Sequence, residues 1–255
     1  VIAKIEFNGA TITVDLNKPL DISIPLRAGS DNVNAWYVDP MRIEAVRTDQ
    51  FLGSVSEGGN VNFRDIFFNP HGNGTHTECV GHIAEEVHSV NDAISRNFFT
   101  AELITIAPNS CEKEEEFRAI DDLIIEASQL TEVLSKRPEA LIIRTLPNSD
   151  RKLNVQYSNT NPPYLCETAA LAIRDAGVKH VLIDLPSVDR EHDGGKMLSH
   201  RAFWNYPHAP RLDATISELI YVRDEIQDGN YLLEIQLAPF VNDASPSKPT
   251  LYEIH

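Results

Sequence analysis

The sequence predicts a mixed α/β fold, read as a single domain over residues 1–255 with a β-rich first half and an α/β second half. Three observations predict it. Short alternating runs separated by turn residues fill the first half; from about Glu114 segments of helical period alternate with short β-branched runs; and 255 residues lie within the range that such folds commonly fill as one unit.

Val1 to Phe7 and Ala10 to Leu16 alternate apolar and polar residues around Asn8-Gly9, a strong hairpin signal, so the chain is expected to open as a β-meander. Ile22 to Leu26, Met41 to Arg47 and Val61 to Phe68 continue the strand pattern, with Gly58-Gly59-Asn60 as a further turn. Leu123 to Lys136 has helical spacing and precedes a strand at Ala140 to Thr145. A second helix is predicted from Asn161-Pro162-Pro163, with Leu165, Ala169, Ala172, Ile173 and Ala176 on one face and Gly177 as its stop. Val181 to Asp184 reads as a buried strand ending in a carboxylate, the end at which ligands sit in α/β sheets. Tyr231 to Phe240 alternates like a late antiparallel strand with one wet face. The Pro- and Ser-rich tail, Asn242 to His255, ends in apolar and aromatic residues and is expected to pack against the body or a neighbouring subunit.

Lys and Arg number 22 against 38 Asp and Glu, a formal net charge of -16. Such a surface repels phosphate backbones and anionic lipid, which argues against nucleic acid and membrane as partners. No apolar run approaches the ~18 residues of a membrane span, and the first residues alternate like a strand instead of resembling a secretion signal. The start at Val1 instead of Met leaves room for a removed preceding segment. Cys79, Cys111 and Cys166 are odd in number and widely spaced, so reduced thiols and a cytoplasmic location are expected, with neither a disulfide framework nor a thiolate zinc site.

The stretch Pro70-His71-Gly72-Asn73-Gly74-Thr75-His76-Thr77-Glu78-Cys79-Val80-Gly81-His82 concentrates three histidines and a carboxylate. On an extended segment residues two apart point the same way, so His76 and Glu78 converge and His82 shares their parity. Imidazole nitrogen with carboxylate oxygen suits a divalent ion such as Zn²⁺ or Mn²⁺. A glycine-rich surface turn is the competing reading, favoured for any one histidine alone. His71 is out of phase by one residue; either a β-bulge at Gly72-Asn73 restores it to the site or the site works without it. Cys79 is expected to face the opposite way and to pack.

The stretch resembles the signature H-x-G-T-H-x-D-x-P-x-H of the cyclase family of metal-dependent hydrolases, which includes kynurenine formamidases and isatin hydrolases. Gly74-Thr75-His76 reproduces G-T-H, Glu78 stands at the aspartate position, Val80 at the proline and His82 at the last histidine, while Gly72 stands at the first histidine. The family's D-x-x-S-x-D is similar to Asp184-Leu185-Pro186-Ser187-Val188-Asp189. Its later helix-opening histidine and its glutamate are matched by His200 and by Glu218, at a longer separation than is usual in the family.

The resemblance implies a swivelling β/β/α fold and an open site in which His76, Glu78, His200 and Glu218, with His71 as a further candidate, hold one or two divalent ions, Zn²⁺ or Mn²⁺. It implies that His82 is the acid/base, and that a small molecule, an aryl amide or lactam, is hydrolysed as in arylformamidases of tryptophan catabolism. It also implies a homodimer or homotetramer. Asp184, Ser187 and Asp189 are read as structural support, since Asp commonly accepts backbone hydrogen bonds in turns. Trp36, Tyr37, Phe203, Trp204 and Tyr206 are candidate aromatic walls, with core packing as the alternative. The departures at positions 72, 78 and 80 keep a second reading open, a non-catalytic relative that binds a metal or small ligand.

Overall fold

Beside the motif segment, four parallel strands lie within a sheet of nine. The computed structural model describes residues 1–7, 10–114 and 116–255. In chain order the strands of this sheet are β1 (Leu20–Asp21), β2 (His76–Glu78), β3 (Phe98–Ile106), β4 (Ala140–Thr145), β5 (His180–Ile183), β6 (Thr215–Glu218), β7 (Gly229–Glu234), β8 (Ala244–Pro246) and β9 (Thr250–Glu253). Their spatial order is β8-β2-β6-β5-β4-β3-β7-β9-β1, with β3, β4, β5 and β6 mutually parallel and the flanking pairs antiparallel. The helices are α1 (Val90–Ala93), α2 (Ala127–Ser135), α3 (Glu167–Asp175) and α4 (Leu198–Trp204).

β4 is buried along its whole length, as expected of a parallel strand covered on both faces. Leu141 and Ile143 face a core built with Leu130 and Val133 of α2, Ile173 of α3 and Trp204 of α4. Ala140 and Ile142 face a second core with Leu103, Leu182, Leu233, Leu251 and Ile22. The alternation follows directly from the two-residue period of a strand.

The tail explains the shape of the sheet. β8 and β9 stand seven strand spacings apart in the order, about 34 Å if the sheet were flat at ~4.8 Å per strand. Only residues 247–249 join them, and four Cα steps reach at most about 14 Å. The sheet must therefore curl until its ends approach. Closing contacts follow: Ser247 N donates to Thr75 O, Ile22 N donates to Pro249 O, and Ser23 bridges Ile220 just beyond β6.

Several predicted elements differ in extent. The N-terminal runs form separate antiparallel pairs instead of a meander: Ile2–Phe7 with Ala10–Asp15, Arg42–Ala45 with Arg64–Phe67, and, enclosed between the latter two, Arg47–Thr48 with Phe51–Leu52. The Asn8-Gly9 turn lies outside the described residues. In Arg64–Phe67 all four residues are exposed, so no buried face exists to extend the pairing. The run predicted at Ile22 to Leu26 holds only an isolated bridge at Ser23, and the strand, Leu20–Asp21, lies just before it. Leu123–Ile125 is a strand beside Tyr164–Leu165, and that pairing takes Ile124, Ile125 and Leu165 out of the predicted helices. Consequently α2 starts at Ala127, behind a capping box between Glu126 and Gln129, and α3 starts at Glu167. β7 ends at Glu234, and beyond it only Leu237 bridges, to Ser247. Cys79, Cys111 and Cys166 are free and buried. Among the described residues no helix is long and apolar enough to cross a membrane.

Candidate metal centre

β2 sits between β6 and β8, and register decides what meets on its faces. His76 is opposite Glu218, Thr77 opposite Ser217 and Glu78 opposite Ile216. His76, Glu78 and Glu218 therefore share one face by strand alternation, while the Thr77 and Ser217 hydroxyls meet at 2.6 Å on the other. Thr75 fixes the approach to β2: its Oγ1 accepts from Ile24 N at 2.7 Å and donates to Leu219 O.

His76 and Glu78 are fully buried, and His200 is 1 % exposed. His76 Nε2 lies 3.5 Å from Glu218 Oε2 and 3.9 Å from Glu78 Oε2. His200 Nε2 lies 3.0 Å from Glu78 Oε1 and 3.7 Å from Glu218 Oε1. The loop between α4 and β6 accommodates the long separation in sequence and still returns Glu218 to His200. Glu218 is held in place by Val188 N, which donates to its Oε1 at 2.9 Å.

His71 joins them, though not through a bulge. Residues 70–72 form a turn and the strand begins only at His76, so strand parity does not govern this stretch. Asn69 Oδ1 accepts from the backbone N–H groups of His71 and Gly72 at 2.9 and 3.1 Å, building an Asx-type turn. The His71 Nδ1 then comes to 2.9 Å from Glu78 Oε2. A Cβ on Gly72 would lie 2.5 Å from Val38 Cγ2 and 2.9 Å from Ala35 O, so no side chain fits at the position of the family's first histidine. His82 arrives by a 3-10 turn, Val80–His82, not by extended parity; its Nδ1 lies 3.8 Å from Glu78 Oε2. The structure thus gathers His71, His76, Glu78, His82, His200 and Glu218.

Asp243 is a site residue the sequence reading missed. It lies 161 or more residues from the motif in a tail without local signal beyond its apolar ending, yet its Oδ2 is 2.9 Å from His71 Nε2 and 3.5 Å from His82 Nδ1.

Asp189 accepts the backbone N–H groups of Ser199 and His200 at the start of α4 and meets His200 Nδ1 at 2.6 Å. Ser187 Oγ accepts from Asp189 N at 3.0 Å. Asp184 accepts from Thr145 N, Thr145 Oγ1 and Lys152 Nζ, which ties the ends of β4 and β5 together away from the centre. Phe203 and Trp204 are core residues, with the Trp204 ring 5.3 Å from that of His200. Of the candidate aromatic walls Trp36 lines the pocket beside the centre, whereas Tyr37 is exposed.

Burial opposes charge in this cluster, but the partners win. Burial works to raise Glu78, yet the facing His82, then His200 and His71, hold it well below the ordinary carboxylate range. Burial would lower His200, while Asp189 and Glu78 hold it well above the usual imidazole value. His71 behaves likewise and is raised to about 10 by Asp243 and Glu78 against its desolvation. Its hydrogen bond and that of His82 depress Asp243. Burial pushes the Cys79 thiol up to about 11, and the Sγ faces His88 O, so this cysteine packs and is not primed as a nucleophile.

Two buried atoms at the middle of the cluster, His76 Nε2 and Glu78 Oε2, have no hydrogen bond; His71 Nδ1 is near the latter but off line for one. Buried polar atoms are rarely left so. A nitrogen and an oxygen, both unsatisfied and facing the same point, fit a divalent cation. Ligand atoms of His71, His76 and Glu78, and of Glu78, His82 and His200, each cluster closely enough to hold one ion.

Among solved structures, an isatin hydrolase bound to the product analogue thioisatinate is similar with a TM-score of 0.65 at 14% identity, covering 93% of this chain and 93% of its own. Isatin hydrolase A from Labrenzia aggregata, bound to benzyl benzoate, gives 0.63 at 13% identity over 92% and 93%. A predicted metal-dependent hydrolase from Bacillus stearothermophilus gives 0.62 at 15% identity over 92% and 98%. At these identities the likeness is one of fold. No curated protein matches the chain. The Cyclase family model matches residues 14–190, which include the glycine-threonine-histidine motif and Asp184 to Asp189 and end before His200. With more than half of the chain matched, the protein belongs to the cyclase family.

Proposed function

We propose that the protein is a metal-dependent hydrolase that cleaves an amide, lactam or related acyl bond of a small aryl substrate, as an arylformamidase does. The observation that carries this reading is the pair of unsatisfied buried atoms, His76 Nε2 and Glu78 Oε2, ringed by His71, His200 and Glu218. These five residues would hold one or two ions, Zn²⁺ or Mn²⁺. Held there, a divalent ion would lower the pKa of bound water to about 7 and polarise an acyl oxygen.

The remaining work falls to the chain. A cavity of about 360 Å³ adjoins the centre, lined by Trp36, Val38 and Met197 as apolar walls and by Asn69, Ser187 and Arg190 among its polar groups. Its size and mixed lining suit a small ring-bearing acyl compound. His82 lines both this cavity and the cluster, so it can move a proton between water and the leaving group. Asp189 and Gly74 O hold the Nδ1 atoms of His200 and His76 respectively, which turns both Nε2 atoms toward Glu78.

Assembly as a homodimer or homotetramer belongs to the same proposal. It is supported by Phe51 and Phe63, 40 % and 60 % exposed with ring centroids 5.8 Å apart, since clustered apolar exposure of this kind suits subunit contacts. Sedimentation velocity tests it, and a monomer at all concentrations would sink it.

The closed space at Gly72 favours one alternative, a relative that binds ligand without turnover. Metal analysis of the purified protein, followed by assays on N-formylkynurenine, isatin and aryl esters with Zn²⁺ or Mn²⁺, separates the two. Metal-dependent hydrolysis is expected. Bound metal without turnover would favour the alternative, and failure to bind metal after reconstitution would remove the hydrolase reading.

A further inference from the structure

Three imidazoles of the cluster share one plan. His76 has its Nδ1 3.0 Å from Gly74 O, and His200 has its Nδ1 2.6 Å from Asp189 Oδ2, so in each ring the far nitrogen is tied and the near one faces Glu78. His71 repeats the arrangement with its nitrogens exchanged: Nε2 is 2.9 Å from Asp243 Oδ2, and Nδ1 is 2.9 Å from Glu78 Oε2. An imidazole whose far N–H is held by an oxygen is fixed in tautomer and orientation, and its bare nitrogen becomes a better metal ligand.

The backbone around Asp243 is built to deliver it. Ala244 pairs with Glu78 in the ladder of β2 and β8, and Cys79 N donates to Asp243 O at 3.0 Å. Val90 N donates to Asn242 O at 2.9 Å, anchoring the other side. Gly81 permits the approach, because a Cβ there would lie 3.2 Å from Asp243 Cβ and 2.5 Å from His88 O. Among the described residues, the ion-pair partners of Asp243 are His71 and His82.

We propose that Asp243 is a positioning residue which accepts the Nε2 hydrogen of His71 and thereby presents His71 Nδ1 to the centre, so that this pair supplies the donor that position 72 cannot carry. The inference rests on the metal-dependent reading above. It assigns Asp243 no contact with substrate.

The test is metal affinity, measured by Co²⁺ titration with its visible absorption spectrum and by Zn²⁺ competition, on wild type, Asp243→Ala, His71→Ala and the double variant. Asp243→Ala should weaken binding by about 10–100-fold and alter the Co²⁺ spectrum. In the His71→Ala background the same change should cost nothing further, because Asp243 acts through His71. Unchanged affinity in Asp243→Ala, or losses that add in the double variant, would overturn the inference. Should Asp243→Ala fail to fold, Asp243→Leu keeps a similar shape and removes the acceptor; a loss of about tenfold or more is then expected, and wild-type affinity would overturn the inference equally. Wild-type protein that binds neither ion would remove the metal-dependent reading itself, whereas wild-type binding with an indifferent Asp243 removes this inference alone.

Discussion

Glu218 stands directly opposite His76 across neighbouring antiparallel strands, with Oε2 3.5 Å from Nε2, although 142 residues separate the two in sequence. The ladder of β2 and β6 therefore places an imidazole and a carboxylate on one spot, and the flanking Gly74 O and Val188 N fix their side chains there. His76→Ala and Glu218→Gln should each reduce bound metal by about 100-fold or more, since loss of a ligand costs at least as much as loss of a group that merely orients one. Elemental analysis after dialysis against buffered Zn²⁺ checks this, and full occupancy in His76→Ala would rule out the assignment.

Restoring the family's aspartate is expected to harm this chain. Glu78→Asp withdraws the carboxylate by about 1.5 Å, one C–C bond. Oε1 now meets His200 and Oε2 meets His71, so both contacts would open together. Metal affinity should fall at least about tenfold; an unchanged Co²⁺ titration would show that the longer side chain is incidental.

Restoring the family's first histidine is likewise expected to fail. Gly72→His drives a side chain into Val38 and Ala35 O, an overpacking that costs roughly 1–3 kcal/mol. Urea denaturation should show the loss, and no gain in metal affinity should accompany it.

His82→Asn should keep the metal and lose turnover by about 10²–10⁴-fold, the usual worth of a general acid or base. Its position on both the cavity and the cluster motivates this separation. Parallel metal analysis and steady-state kinetics on the best substrate found decide it; metal loss matching the activity loss would make His82 a ligand instead.

Away from the centre, His180 gives stability a pH dependence. Burial, then Arg96 and Lys179, lower it from 6.5 to about 3, and its Nδ1 pairs with Thr215 Oγ1 at 2.8 Å. The unfolded chain binds this proton near 6.5 and the folded chain resists it, so the contribution is intact above 6.5 and is lost as pH falls from 6.5 toward 3. His180→Gln should flatten unfolding free energy against pH between 6.5 and 5 relative to wild type. Parallel curves would contradict it.

How legible the centre was depended on whether a residue's partner was local. Gly74-Thr75-His76 and Asp184 to Asp189 carry chemistry within a few residues, and Asp189 holds His200 just eleven residues later. His71 was ambiguous because an Asx turn, not strand parity, sets its direction, and the turn depends on Asn69 and Asn73 together. Asp243 was illegible because strand pairing from the far end of the chain, which no periodicity records, brings it to His71. The same competition moved helix starts: Ile124 and Ile125 fit a helical face, but pairing with Tyr164 and Leu165 claimed them as strand.

Because β8 is threaded beside β2 and the chain then crosses to β9 in three residues, the centre is complete only after ribosomal synthesis has passed residue 246. A nascent chain that has already delivered His71, His76, Glu78, His200 and Glu218 still lacks the strand that closes the sheet and carries the partner of His71. Contacts of such long sequence separation form late and slowly. Tight binding of metal would then follow the docking of β8, and the rate at which high-affinity Co²⁺ binding develops during refolding would time the arrival of that strand.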